Sequence, residues 1–200
     1  MKFHVPDGAT PIDDTTDLLV PGITTIQNLN AVEAENILEA LGQHLSARKN
    51  ADGLWLDELF LRRVHRDMFA KVWRWAGRYR DHELNIGVPA HRVREEIGKL
   101  VGDVHFWMSL PLERMTTLER AVRIHHRLSW IHPFLNGNGR YARFVADIYL
   151  FSQHVSLPDW PQDLGIDGET RRLYLQALKN ADQGQFEPLI TFIGALTRKK

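Results

Sequence analysis

The chain has 200 residues, of which 44% are hydrophobic and 25% charged, with 14 Gly and 9 Pro. That is the composition of one globular domain able to bury roughly 70% of its unfolded surface. Zero cysteines exclude a disulfide framework, thiolate metal sites and a cysteine nucleophile, and 25 Lys+Arg against 25 Asp+Glu leave no net field for nucleic acid or an anionic membrane. The start MKFHVPDGATPIDD lacks an apolar leader region, and no stretch reaches the roughly 18 apolar residues of a membrane span. A cytoplasmic protein with no membrane contact and no direct nucleic-acid contact is expected.

Residues 1–30 carry Pro6, Gly8, Pro11, Pro21 and Gly22 without periodicity and read as an irregular arm. Residues 31–50 read as a helix capped by Asn30, with Val32, Ile37, Leu38, Leu41 and Leu45 on one stripe. Residues 51–200 form the expected core. Its first helix carries Leu56, Leu59, Phe60, Val64, Met68, Val72 and Trp75, and stops at Gly77. Residues 79–90 contain Gly87 and Pro89, lack a 3.6-residue period and read as a strand or hairpin. Helical spacing returns at Val93, Ile97, Leu100, Val104 and Met108, before Pro111. Thr116 to Glu119 is a capping box ahead of Val122, His125, Leu128 and Ile131. Buried helix is predicted from Arg140 to Phe151, then helices over Glu169 to Asn180 and from near Pro188. The fold class is all-α with one short β-hairpin.

The stretch from His132 to Arg143 carries the chemistry. Pro133 stops the preceding helix just after His132, and Gly137 and Gly139 flank Asn138, all tolerant of left-handed dihedrals. Successive N–H groups in such a loop form an anion-binding concavity, and the next helix start adds unpaired N–H groups and a positive dipole end. Arg140 and Arg143 oppose the usual preference for acidic residues there, which makes sense if a polyanion sits between them. A histidine beside a phosphate cradle is a candidate general base.

The run His132-Pro-Phe-Leu-Asn-Gly-Asn-Gly-Arg-Tyr-Ala-Arg143 resembles the Fic-family signature HPFx[D/E]GNGRxxR. Trp75-Ala76-Gly77 with Arg80, Leu84-Asn85-Ile86-Gly87, and Tyr174 to Phe192 extend the resemblance, which is strongest to the branch called mobile mystery protein B. The resemblance implies a Fic-type helical domain with a short β-hairpin flap, transferring AMP from ATP to a Ser, Thr or Tyr hydroxyl of a target protein. His132 would be the base. Gly137, Asn138 and Gly139 would hold phosphates through main-chain N–H groups, with Arg140 and Arg143 neutralising them. The flap residues Glu83, Leu84, Asn85, Ile86, Gly87 and Val88 would dock the target by strand addition. Asn136 stands where the family has Asp or Glu toward Mg²⁺, so a weaker metal site is expected. Glu35-Asn36 fits the end of the family's inhibitory pattern [S/T]xxxE[G/N], with Ala31 departing from its start. Glu35 is therefore the candidate inhibitory residue, paired with Arg143. Self-modification and a small helix-turn-helix companion are further implications.

Two alternatives are a Doc-like phosphotransferase and a weakly catalytic nucleotide-binding regulator of a toxin–antitoxin-like module. A zinc site at His125, His126 and His132 is disfavoured, since residues seven apart on a helix lie about 10.5 Å apart along its axis. His125 is expected to be a buried, hydrogen-bonded helix residue, and the six tryptophans core or core edge.

Overall fold

A computed structural model describes residues 15–197. Its order is α1 (Ile26–His44), α2 (Glu58–Phe69), a 3₁₀ turn (Ala90–Arg92), α3 (Val93–Ser109), α4 (Thr117–Ile131), α5 (Asn138–Ser152), a second 3₁₀ turn (Gln162–Gly165), α6 (Glu169–Asp182) and α7 (Glu187–Leu196). Helix α4 is the hub, packed on α5, α3, α7 and α6, while α2 bridges α1 to α5. Leu128, Ile131, Phe134, Tyr141, Val145 and Ile148 are completely buried along the α4–α5 seam. A smaller core beneath α6 and α7 joins Val122 to Tyr174, Ala177, Leu189 and Ile193. Among the described residues, no helix is long and apolar enough to cross a membrane.

The first helix starts earlier than its pattern suggests. Thr25 is the cap, its Oγ1 accepting from the Asn28 N–H at 3.2 Å, so Asn30 lies inside α1 and Leu29 becomes a core residue. Of the expected arm, residues 1–14 lie outside the described residues, 15–25 are non-helical, and 26–30 belong to α1. Helix α2 ends at Phe69 rather than near Gly77. Val72 and Trp73 are buried from turns instead, where Leu18 forms an isolated bridge with Trp73 and the Leu19 N–H donates to the Val72 carbonyl at 2.8 Å. The capping box at α4 forms as read, with Thr116 Oγ1 accepting from the Glu119 N–H at 3.1 Å.

The β-hairpin does not form: residues 79–90 contain no strand. The groups a hairpin would pair are engaged elsewhere. The His82 and Val88 carbonyls accept from the Arg80 guanidinium, the Val88 N–H donates to the Ile131 carbonyl at 3.3 Å, and the Ala90 N–H donates to the Glu83 carboxylate at 2.9 Å. The segment is an irregular strap laid across the end of α4.

Candidate active site

Helix α4 ends at His132 in the left-handed region (φ 53°, ψ 60°), and α5 begins after Gly137, also left-handed at φ 76°. These two reversals fold the chain into a corner between antiparallel helices. Only glycine fits at 137, because a Cβ there would lie 2.5 Å from the Phe69 ring. Phe134 anchors the corner from below, fully buried and stacked on His65 with ring centroids 3.6 Å apart.

Asn138 closes the loop on itself. Its Oδ1 accepts from the Phe134 N–H at 2.9 Å and its Nδ2 donates to the Phe134 carbonyl at 2.8 Å, with the residue 2% exposed. The side chain is therefore a clasp, and only the main chain of Asn138 can face a ligand. Asn136 turns back similarly, its Oδ1 accepting from the Gly137 N–H at 2.6 Å. That bond uses one of the three loop amides expected to hold phosphate. The N–H groups of Asn138, Gly139 and Arg140 remain in the first turn of α5, where no intrahelical acceptor exists.

The two motif arginines flank this helix start on different sides. Arg140 lies over the Phe69 ring at 5.0 Å and pairs with Glu33 at 2.7 Å. Arg143 lies over Trp160 at 5.7 Å, beside the Tyr174 hydroxyl. Its Nη1 would sit 3.8 Å from a Cβ on Gly139, so it reaches back over the first turn.

His132 is half-buried, and the Ser129 carbonyl accepts from its Nδ1–H at 3.2 Å. That bond places the lone pair on Nε2. Burial lowers the imidazole to about 4, with Arg80 adding to the effect against the Ser129 bond, so the ring is neutral at pH 7.

Arg80 fixes both the corner and the strap. It is 3% exposed and its guanidinium donates to the carbonyls of His132 at 2.7 Å, His82 at 3.2 Å, Ile131 at 3.4 Å, and Val88. Gly87 (φ 101°) lets the strap lie against the histidine, since a Cβ there would be 2.6 Å from His132 Cβ. Glu83 and Asn85 are exposed, and Leu84 and Ile86 half-buried, beside that contact.

His65 is a functional support that sequence reasoning missed. Its Nδ1 accepts from the Gly77 N–H at 3.0 Å and its Nε2–H donates to the Asn136 carbonyl at 3.1 Å. Complete burial lowers it to about 3, consistent with this neutral strut. Its sequence signal was only a polar residue on the apolar face of α2.

The expected Glu35–Arg143 pair is not formed. Glu35 lies on the exposed face of α1, whereas Glu33, two residues and about 200° away around the helix, is buried. Glu33 Oε1 accepts from the Trp73 indole at 2.6 Å while Oε2 meets Arg140. His125 is buried as expected, hydrogen-bonded to the Tyr174 hydroxyl at 2.8 Å, and no group of three His, Asp or Glu among the described residues could hold a metal.

A left-handed histidine closes one helix, and a glycine opens the next, whose start is flanked by two arginines. The Fic/DOC family profile matches residues 55–150. The chain is 24% identical over 186 residues to protein adenylyltransferase Fic of Nematostella vectensis, covering 92% of this chain and 41% of that protein. It is 24% identical over 181 residues to protein adenylyltransferase fic-1 of Caenorhabditis elegans, covering 88% and 33%. It thus spans well under half the length of these curated relatives. The fold is that of the N-terminal Fic domain of a VirB-translocated effector from Bartonella quintana (TM-score 0.70, 18% identity, 98% and 94% of the two chains). A Bartonella tribocorum effector solved with bound AMPPNP is similar (TM-score 0.67, 17% identity, 98% and 99%).

Proposed function

We propose that the chain is a protein adenylyltransferase that moves AMP from ATP to a hydroxyl of a target protein, its own chain included. The carrying observation is the neutral His132, its lone pair on Nε2, held at the corner where the α5 amides, Arg140 and Arg143 can receive a triphosphate. His132 takes the hydroxyl proton, the oxygen attacks the α-phosphorus, and the bond to pyrophosphate breaks. The first-turn amides and the arginines hold the phosphates in line, which is most of what transfer at phosphorus requires. The strap at 83–88 docks the hydroxyl-bearing segment. Asn136 offers one neutral oxygen already bonded to Gly137, so a resident metal does not fit this donor set. Mg²⁺ belongs in this reading to the substrate, as the ion of the ATP complex.

The Glu33–Arg140 pair supports a restraint on this activity, because phosphate must compete with a buried carboxylate for one guanidinium. Glu33→Gln keeps an acceptor for Trp73 and removes the charge, and its expected effect is faster labelling. Unchanged labelling removes Glu33 as a brake.

Incubation with ATP labelled at the α- or the γ-phosphate tests the main reading. Label retained only from the α-position, and lost in His132→Ala, supports it. Retention only from γ favours phosphate transfer, and binding without label favours the regulator.

A further inference from the structure

A concavity lies outside the motif corner, on the outer side of α2 and the turn that follows it. It has a volume of about 590 Å³ and its wall carries Arg62, Arg63, Arg66, Arg74 and Arg78, with Leu59 at its rim. Local carboxylates scarcely compensate this charge. Asp67 approaches Arg66 at 3.8 Å and Asp17 approaches Arg74 at 3.9 Å, while both arginines remain largely exposed. Arg62 donates to the Gly77 carbonyl at 3.0 Å and lies over Tyr79 at 5.5 Å, which holds one guanidinium in place in the wall. Arg63 and Arg78 are exposed. In a chain whose charges cancel, 25 against 25, five arginines on one concavity are a local feature rather than a reflection of overall basicity.

Its position ties it to the site. Arg78 stands at the foot of the strap, two residues before Arg80. One wall runs through the Gly77 N–H to His65 and on to the carbonyl of Asn136 in the motif loop. Arg78 lines the concavity, so the strap and the concavity are joined along the chain within a few residues.

We propose that this groove binds an acidic segment of the target polypeptide, flanking the stretch that presents the acceptor hydroxyl. The inference rests on the adenylyltransferase reading for the direction of approach. Guanidinium groups match carboxylates in paired hydrogen bonds, and the exposed Leu59 offers contact to an adjoining apolar residue. The excess of acidic over basic residues elsewhere argues against a nucleic acid, which needs positive charge spread along a backbone.

The probe is a fluorescein-labelled octaglutamate peptide titrated into the full chain, with an octathymidylate of similar charge as the competing polyanion. The groove reading expects saturable peptide binding that weakens between about 0.05 M and about 0.2 M salt and falls about tenfold or more in R63E/R78E. Neither residue belongs to the motif corner, so ATP binding should be unchanged in that variant, which also reports its folding. R63Q/R78Q, which removes charge without reversing it, should fall between the two. Absent peptide binding, binding indifferent to both variants, or tighter binding of the oligonucleotide overturns the proposal. Failure of the AMP-transfer reading shows separately, as missing α-label while the peptide titration still reads the groove.

Discussion

Two non-helical segments meet at His132, and they are held by different means. The motif loop is satisfied by its own neighbours: Asn138 clasps Phe134, Asn136 clasps Gly137, and Phe134 stacks on His65. The strap at 79–88 is held mainly by one buried guanidinium, a glycine contact, the Val88 N–H on the Ile131 carbonyl and the Glu83 carboxylate on the Ala90 N–H. A phosphate cradle must be rigid before its ligand arrives, since donors that reorganise on binding lose much of their electrostatic advantage. A segment that accepts varied polypeptides gains from resting on few contacts, because fewer contacts must shift to admit a partner. The contrast supports the proposed division, with chemistry at the loop and target docking at the strap.

The largest expected effect lies in the loop. His132→Ala should lower AMP transfer by about 10²–10⁴-fold with ATP affinity nearly unchanged, as expected for loss of a general base. A comparable fall in ATP binding would mean that the histidine supports the cradle instead. Asn138→Ala should follow. It orphans the Phe134 N–H and carbonyl inside the core, costing about 2–4 kcal/mol in a denaturant titration and weakening ATP binding. In the strap, Arg80→Lys keeps a charge but cannot reach four carbonyls. It should reduce transfer to a protein acceptor about tenfold while ATP binding stays within about twofold. Equal losses in both would show that the strap and the cradle are one unit.

The smallest effects come with pH. Burial lowers His65 and His125 to about 3 from the ordinary 6.5, so the unfolded chain binds protons that the folded chain refuses. Their contribution is complete above pH 6.5 and is lost as pH falls toward 3. Asp147, raised by burial to about 7 from 3.8 despite its bonds from Trp160, acts oppositely and loses its contribution as pH rises through that range. Two histidines against one carboxylate predict a lower melting temperature at pH 4.5 than at pH 7, read by thermal unfolding. His132 should keep its neutral, Nδ1-protonated ring at pH 5 in an NMR titration. A midpoint near 6.5 would contradict its half-buried placement.

Local rules made much of this legible. The α4 cap, the stop at Pro133, the left-handed turn at Gly137 and the two arginines follow from residues within about three turns of one another, whereas Asn138 and Gly139 are already helical in α5. The hairpin and the Glu35 pair were misread for a common reason. Arg80 reaches more than fifty residues along the chain to the carbonyls of Ile131 and His132, and Glu33 reaches more than a hundred to Arg140. Periodicity places both glutamates on one helix, but only packing against Trp73 decides which one turns inward.

The sequence by itself determined an all-α domain and the constellation from His132 to Arg143, because helix stops, glycine turns and first-turn amides are short-range consequences of residue type. Tertiary structure alone decided that Arg80 replaces a hairpin, that Glu33 covers a motif arginine, and that five arginines surround one groove. The first two depend on which distant groups compete for the same buried donor or acceptor, and that competition is settled only when the helices pack.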